Sequence, residues 1–373
     1  MPDAPLHLIR PEVRAERAYR VPTEADAPAK LDQNESPFDV PKALKQAVAA
    51  RFCASDWNRY PDDRPHRLIA ALADRLGHPV EGIIVGRGSN EITHTLGLCF
   101  LGHGVPVVLP HPMFALYASV ARMHGARIVS VDPESDFSHD PAAILAAAQE
   151  SSAALIIVTT PNNPTGQVLS FEGIERLVAE APGAVLVDEA YHEFVPGASA
   201  VDLLAQYPNL LVMRTFSKAM GLAGLRLGIL LGDPALIQEI EKARLPFLVD
   251  RFSEAVALVL LERPELVTER VAVLTAERKR VRHALAEMDG IETLPGDANF
   301  FLMRTPLACS VLRERLAEQG VRIRDVSGYP ALAATEEQPG WVRVSVGTPA
   351  ENQAFLVAVQ QVLSTAALHE TAG

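Results

Sequence analysis

Seven short runs of aliphatic and β-branched residues between positions 83 and 231 constrain this chain most. They are Ile83–Val85, Val105–Leu109, Arg127–Val131, Ala154–Thr159, Ala184–Val187, Leu210–Thr215 and Leu227–Leu231. Each is bounded by turn residues, and helical stretches separate most of them. Strands that are apolar throughout need cover on both faces, and intervening helices let neighbouring strands run parallel. The pattern predicts an α/β fold with a mainly parallel sheet covered by helices.

Other signals mark the flanks. His66 to Leu76 carries Leu68, Leu72 and Leu76 on one helical stripe and stops at Gly77. Asp233-Pro234 reads as an N-cap followed by a first-turn proline. Beyond about residue 252 the helices lengthen, as in Glu265 to Met288. Strands are expected at Asn299–Met303, Val321–Arg324 and Trp341–Val346, and a closing helix from Ala350. At 373 residues and 48% hydrophobic, the chain is long enough for two packed units. The expected organisation is an N-terminal arm (1–38), a large domain (39–250) and a smaller α+β C-terminal domain (251–373). Residues 39–58 are expected to pack with the small domain.

A net charge of −12 argues against nucleic acid or an anionic membrane surface as a partner, though local arginines can still hold a small anion. Cys53, Cys99 and Cys309 lack a metal or redox spacing, which fits a reduced, cytoplasmic protein. No apolar run is long enough to span a bilayer, and the start has no signal-peptide pattern. The histidines lack zinc-enzyme spacing, so no metal is expected.

In open parallel sheets, ligands bind beyond the carboxyl ends of the strands, so the residues there are informative. After the first run comes Gly86-Arg87-Gly88-Ser89-Asn90-Glu91 and then a helix, a phosphate-binding arrangement that ordinary strand–helix turns also resemble. After the fourth comes Pro161-Asn162-Asn163-Pro164-Thr165-Gly166, whose proline pushes Asn163 away from helical angles. After the fifth comes Asp188-Glu189-Ala190-Tyr191. A carboxylate at the end of a buried strand needs a cationic or donor partner, although Asp188 could also cap a helix. The sixth delivers Thr215, Ser217 and Lys218, followed by Gly221, Gly224 and Arg226. Hydroxyls, glycines and an arginine around a lysine suit an amine that condenses with a phosphate-bearing aldehyde. Alone, that segment reads equally well as a surface lysine in a flexible loop.

Together these motifs resemble the fold-type I pyridoxal-phosphate aminotransferases, over nearly the whole chain. The resemblance adds Asn34-Glu35, Arg59-Tyr60-Pro61-Asp62 and Arg343 in Val342-Arg343-Val344-Ser345. It implies pyridoxal 5'-phosphate as cofactor and Lys218 as the catalytic lysine. Asp188 would pair with the ring nitrogen, and Tyr191 and Asn163 would bond the ring oxygen. Gly88, Ser89, Asn90, Thr215, Ser217 and Arg226 would surround the phosphate, with Phe114 stacked on the ring. Tyr60 would reach the phosphate of a neighbouring subunit, which implies a homodimer with shared sites. Arg343 would grip a substrate carboxylate.

Within that family the resemblance is nearest to the histidinol-phosphate aminotransferases. It rests on Ile9-Arg10-Pro11-Glu12-Val13-Arg14, Lys30-Leu31-Asp32-Gln33-Asn34-Glu35 and Val321-Arg322-Ile323-Arg324-Asp325. Arg322 and Arg324 are expected on one strand face. Arg324 would bind the substrate phosphate, and Asn34 and Tyr19 would also contact substrate. The implied reaction, in histidine biosynthesis, moves an amino group from L-histidinol phosphate to 2-oxoglutarate. Asn90, Phe114 and Ser36 depart from residues common in that family and bear on the substrate. Alternatives are an aromatic amino acid aminotransferase or, less favoured, a phospho-amino-acid decarboxylase using the same cofactor. A ligand-responsive regulator would need a basic DNA-binding module that this acidic chain lacks outside the arm. A dinucleotide oxidoreductase would need a third glycine after Gly86-Arg87-Gly88.

Overall fold

The computed structural model describes residues 5–18 and 27–370, with side chains to 365. Strand β1 (Ala29–Lys30) precedes the large sheet. That sheet contains β2 (Ile83–Gly86), β3 (Pro106–Pro110), β4 (Arg127–Val131), β5 (Leu155–Thr159), β6 (Ala184–Asp188), β7 (Leu210–Thr215) and β8 (Gly228–Gly232). After it come β9 (Glu292–Leu294), β10 (Phe300–Arg304), β11 (Val321–Arg322), β12 (Arg324–Asp325) and β13 (Val342–Ser345).

The seven strands lie in the order β2-β8-β7-β6-β5-β3-β4. All are parallel except β8, which runs against both β7 and β2. The reversal follows from the link between β7 and β8, which is a loop and a short 3-10 turn rather than a crossover helix. β5, β6, β7 and β8 are almost wholly buried, as their aliphatic sequences require. Two apolar clusters cover opposite faces. Val185 and Val187 face one, while Leu186 and Met213 face the other, as the period of two dictates.

The local signals act as chemistry predicts. Gly77 ends the helix His66–Leu76 in the left-handed conformation, at φ 64°. Asp233 caps the helix Pro234–Glu241 by accepting from the backbone N–H groups of Ala235 and Leu236. The C-terminal strands form a four-stranded antiparallel sheet in the order β12-β13-β10-β9, flanked by the helices Pro264–Ala286, Cys309–Glu318 and Pro349–Glu370.

One segment departs from expectation. Val321–Arg324 is not a single strand. Its first half, β11, pairs in parallel with β1, setting Arg322 opposite Lys30. Its second half, β12, pairs antiparallel with β13, setting Arg324 opposite Arg343. The chain crosses between sheets at Ile323, so the two arginines do not share one strand face. The segment following β1 is deeply embedded, with Leu31 and Asn34 each 1% exposed. The helix Lys42–Cys53 packs on the helix Arg251–Leu261.

Candidate active site

The carboxyl ends of β5, β6 and β7 meet residues of the C-terminal sheet around a cavity of about 610 Å³. Thirteen expected residues line it: Asn34, Ser89, Asn90, Phe114, Asn163, Asp188, Tyr191, Thr215, Ser217, Lys218, Arg226, Arg324 and Arg343. Gly88 stands just behind, while Tyr60 lies away from the cavity, 77% exposed and stacked on Phe247. Tyr19 is outside the described residues.

Lys218 follows the last residue of β7 by three positions, and its amine donates to the Gln33 carbonyl at 3.0 Å. Burial first, then the nearby Arg343 charge, pulls its pKa down to about 7. Much of the amine is therefore uncharged near neutrality, the form that attacks a carbonyl carbon. Asp188 closes β6. Its Oδ2 accepts from the Tyr117 hydroxyl at 2.7 Å, and its Oδ1 accepts from the Ala190 N–H at 3.0 Å. Burial raises Asp188 to about 6, with Tyr117 and the backbone donor opposing that rise. Tyr191 is pushed up to about 12, chiefly by burial, so its phenol stays protonated. Its oxygen accepts from the Asn34 amide at 3.0 Å.

An anion cradle occupies the other end. The helix Ser89–Phe100 begins there with free backbone donors, and Gly88 precedes it at φ 80°. A Cβ on Gly88 would lie 2.8 Å from the Arg226 guanidinium, so a larger residue would crowd the cradle. Arg226, itself left-handed at φ 53°, donates to the Ala223 carbonyl at 3.1 Å and to the Ser217 hydroxyl at 3.4 Å. The donor set suits a phosphate monoester.

The opposite wall comes from the C-terminal unit. Arg343 donates to the Asn163 side-chain oxygen at 2.5 Å and to the Asp32 carbonyl at 2.8 Å, bridging both sheets. Arg322, in contrast, donates to the Asp32 carboxylate at 3.2 Å, so it serves as a structural cation beside the cavity. Among the described residues, no hydrogen bond or ion pair occupies the Arg324 guanidinium, which faces the cavity with Asp325 and Tyr329.

These features match a known family. Residues 28–359 fit the family model for aminotransferase class I and II. The chain belongs to that family. Its members depend on pyridoxal phosphate, and the fold is that of fold-type I enzymes. The histidinol-phosphate aminotransferase of Chlorobaculum tepidum is 41% identical over 349 residues, spanning 94% of this chain and 98% of that one. That of Chlorobaculum parvum is also 41% identical, over 94% of this chain and 96% of its own. Among solved structures, histidinol-phosphate aminotransferase from Sinorhizobium meliloti, in complex with pyridoxal-5'-phosphate, superposes with a TM-score of 0.85. It is 26% identical, covering 96% of this chain and 98% of that chain.

The residues of this aminotransferase fit the cofactor at both ends. A phosphate matches the Gly88–Arg226 cradle, and a protonated ring nitrogen matches a buried carboxylate whose two bonded donors are both neutral. Sequence reasoning missed Asp32, Gln33, Thr93, Tyr117, Thr159 and Tyr329, which also line the cavity. Gln33 acts through a backbone carbonyl, which no side-chain pattern marks. Tyr117 sits on the apolar stripe of a helix and reads as core.

Proposed function

We propose that this aminotransferase moves an amino group from L-histidinol phosphate to 2-oxoglutarate, giving imidazole acetol phosphate and L-glutamate. The observation that carries the reading is a second anion site, separate from the cofactor cradle, with Arg324 and Arg343 side by side across β12 and β13. The curated relatives of that activity support the choice of donor.

Pyridoxal phosphate, when bound, supplies an aldehyde carbon for the amine and a ring that accepts electrons. Asp188 would hold negative charge against the ring nitrogen, with its Oδ1 accepting from the Ala190 N–H. Phe114 offers an aromatic face to the ring. Tyr191, with its hydroxyl held by Asn34, presents a protonated phenol to the ring oxygen. Lys218, with a pKa near 7, carries a proton to and from the substrate carbon next to nitrogen. Arg343 takes the α-carboxylate of glutamate, a planar anion suited to its fork. Arg324 takes the phosphate of histidinol phosphate.

The domain limits 1–38, 39–250 and 251–373 belong to the same proposal. So do a cytoplasmic location and a homodimer, the latter supported by the exposed Tyr60–Phe247 stack. Mixing inactive Tyr60→Ala and Lys218→Ala variants tests the shared site. Recovery of activity supports it, and none after verified mixing rejects it. The substrate reading is tested by steady-state kcat/KM for histidinol phosphate against phenylalanine, tyrosine and aspartate. A much higher value for an aromatic or acidic donor overturns it. Evolved carbon dioxide from a phosphorylated amino acid would point to the decarboxylase instead.

A further inference from the structure

Tyr117 has no role in the chemistry described for the strand ends, yet its position is specific. It lies on the helix Ala115–Met123, whose N-cap is Phe114, and the two rings meet edge to face at 6.2 Å. The Tyr117 side chain is fully enclosed, at 2% exposure. A buried phenol needs a partner for its hydroxyl. Here the partner is the Asp188 Oδ2 at 2.7 Å, rather than a backbone carbonyl.

We propose that Tyr117 is a positioning residue that orients the Asp188 carboxylate and keeps it ionised toward the ring nitrogen of the bound cofactor. This rests on reading the cavity as a pyridoxal-phosphate site. The carboxylate has two oxygens and needs two restraints to fix its rotation. The Ala190 N–H supplies one on Oδ1, and the Tyr117 hydroxyl supplies the other on Oδ2. Because Phe114 and Tyr117 are neighbours at the start of one helix, a single element aligns both the stacking face and the charge at the ring nitrogen.

The electrostatics point the same way. Burial drives Asp188 toward the neutral acid, and Glu189 adds to that drift. The Tyr117 hydroxyl is the largest opposing influence, ahead of the Ala190 N–H and Lys218. Tyr191 also faces the carboxylate. The Tyr117 phenol sits well above its ordinary pKa, chiefly through burial and the Asp188 charge, so it remains a donor. Thr93, on the cradle helix, donates to the Ser89 carbonyl at 3.0 Å.

Tyr117→Phe keeps the ring and removes the hydroxyl. In the cofactor-free protein, the Asp188 carboxyl can be followed by infrared difference spectra against Asp188→Asn. Its titration midpoint is expected above the value of about 6 for the unaltered protein. With cofactor, pyridoxal phosphate affinity should fall about 3–10-fold, as for one lost hydrogen bond. The kcat should fall about tenfold, with KM for the amino donor unchanged within about twofold, because Asp188 would meet the cofactor ring rather than the donor. An unshifted Asp188 midpoint with normal cofactor affinity overturns the proposal. If Tyr117→Phe melts at much lower temperature, a fluorinated, more acidic phenol at position 117 replaces it, and the midpoint should then fall. The absence of any visible cofactor band in the unaltered protein would overturn the cofactor reading itself, and this proposal with it.

Discussion

The two walls of the active-site cavity are built in different ways. The wall from the large sheet consists of strand ends: Asp188 closes β6, Thr215 closes β7, and Asn163 and Lys218 follow within a few residues. Its polar groups sit in buried surroundings, with Asp188 accepting from Tyr117 and Lys218 donating to the Gln33 carbonyl. The wall from the C-terminal unit consists of two-to-four-residue strands and a loop, carrying Arg324, Tyr329 and Arg343. It meets the first wall through long-range contact, notably Arg343 to Asn163, while Arg343 also donates to the Asp32 carbonyl of the segment after β1. The first wall carries the residues proposed for the chemistry common to the family, and the second carries those proposed to select the substrate.

Lys218→Ala tests the first wall most severely. Loss of the proton carrier should cut kcat on the order of 10²–10⁴-fold and abolish the cofactor's absorption band shared with the lysine. Activity within a factor of ten of the unaltered enzyme would separate the chemistry from this strand end. Asp188→Ala should fold normally and lose roughly 10²–10³-fold in kcat, as when a preorganised electrostatic partner is removed. Retained kcat would break the ring-nitrogen pairing.

The same wall stores an electrostatic cost that stability measurements can read. The Lys218 pKa is about 7 in the folded chain and 10.5 when unperturbed. The folded state therefore resists the amine's charge below about pH 7, and that cost fades as pH rises toward 10.5. Replacing Lys218 by Met should stabilise the cofactor-free protein by on the order of 2–4 kcal/mol below neutrality, with the gain vanishing at high pH. A gain independent of pH would attribute it to packing instead. Asp188 has the opposite pH sense. Its raised pKa favours the fold at low pH, and the advantage is lost as pH rises through about 6.

Arg324→Ala probes the second wall. Losing a charge-assisted bond should raise KM for the phosphorylated donor about 10–100-fold, with little change for glutamate. Equal effects on both would remove its phosphate role. The mildest case joins the walls: Asn34→Ala removes its bonds to the Tyr191 and Ser345 hydroxyls, and the loss of the Tyr191 bond is expected to lower kcat about 3–10-fold. An unchanged kcat would confine Asn34 to backbone structure.

Much of the large sheet is legible in the sequence. Apolar runs predict β4 and β7 to the residue, and the glycine after Leu76 ends its helix where expected. The site residues on that sheet are legible too, because a parallel sheet delivers every strand's carboxyl end to one edge, whatever the side chains are. Thus Asn163, Asp188 and Lys218 could be grouped without coordinates.

Other assignments needed the fold. Arg322 and Arg324 are two residues apart and chemically alike, yet one neutralises Asp32 and the other faces the cavity. Their fates part because Ile323 carries the chain between two sheets, a matter of long-range pairing that local pattern cannot express. Tyr117 looks like any aromatic on an apolar helix stripe until Asp188 is seen against its hydroxyl. The sequence alone placed the candidate machinery at one sheet edge, since periodicity and topology fix where strand ends fall, while the family resemblance implied its roles. Only the tertiary structure showed which neutral groups contact those residues and which of Arg322 and Arg324 faces the cavity, since both depend on contacts between residues far apart in the chain.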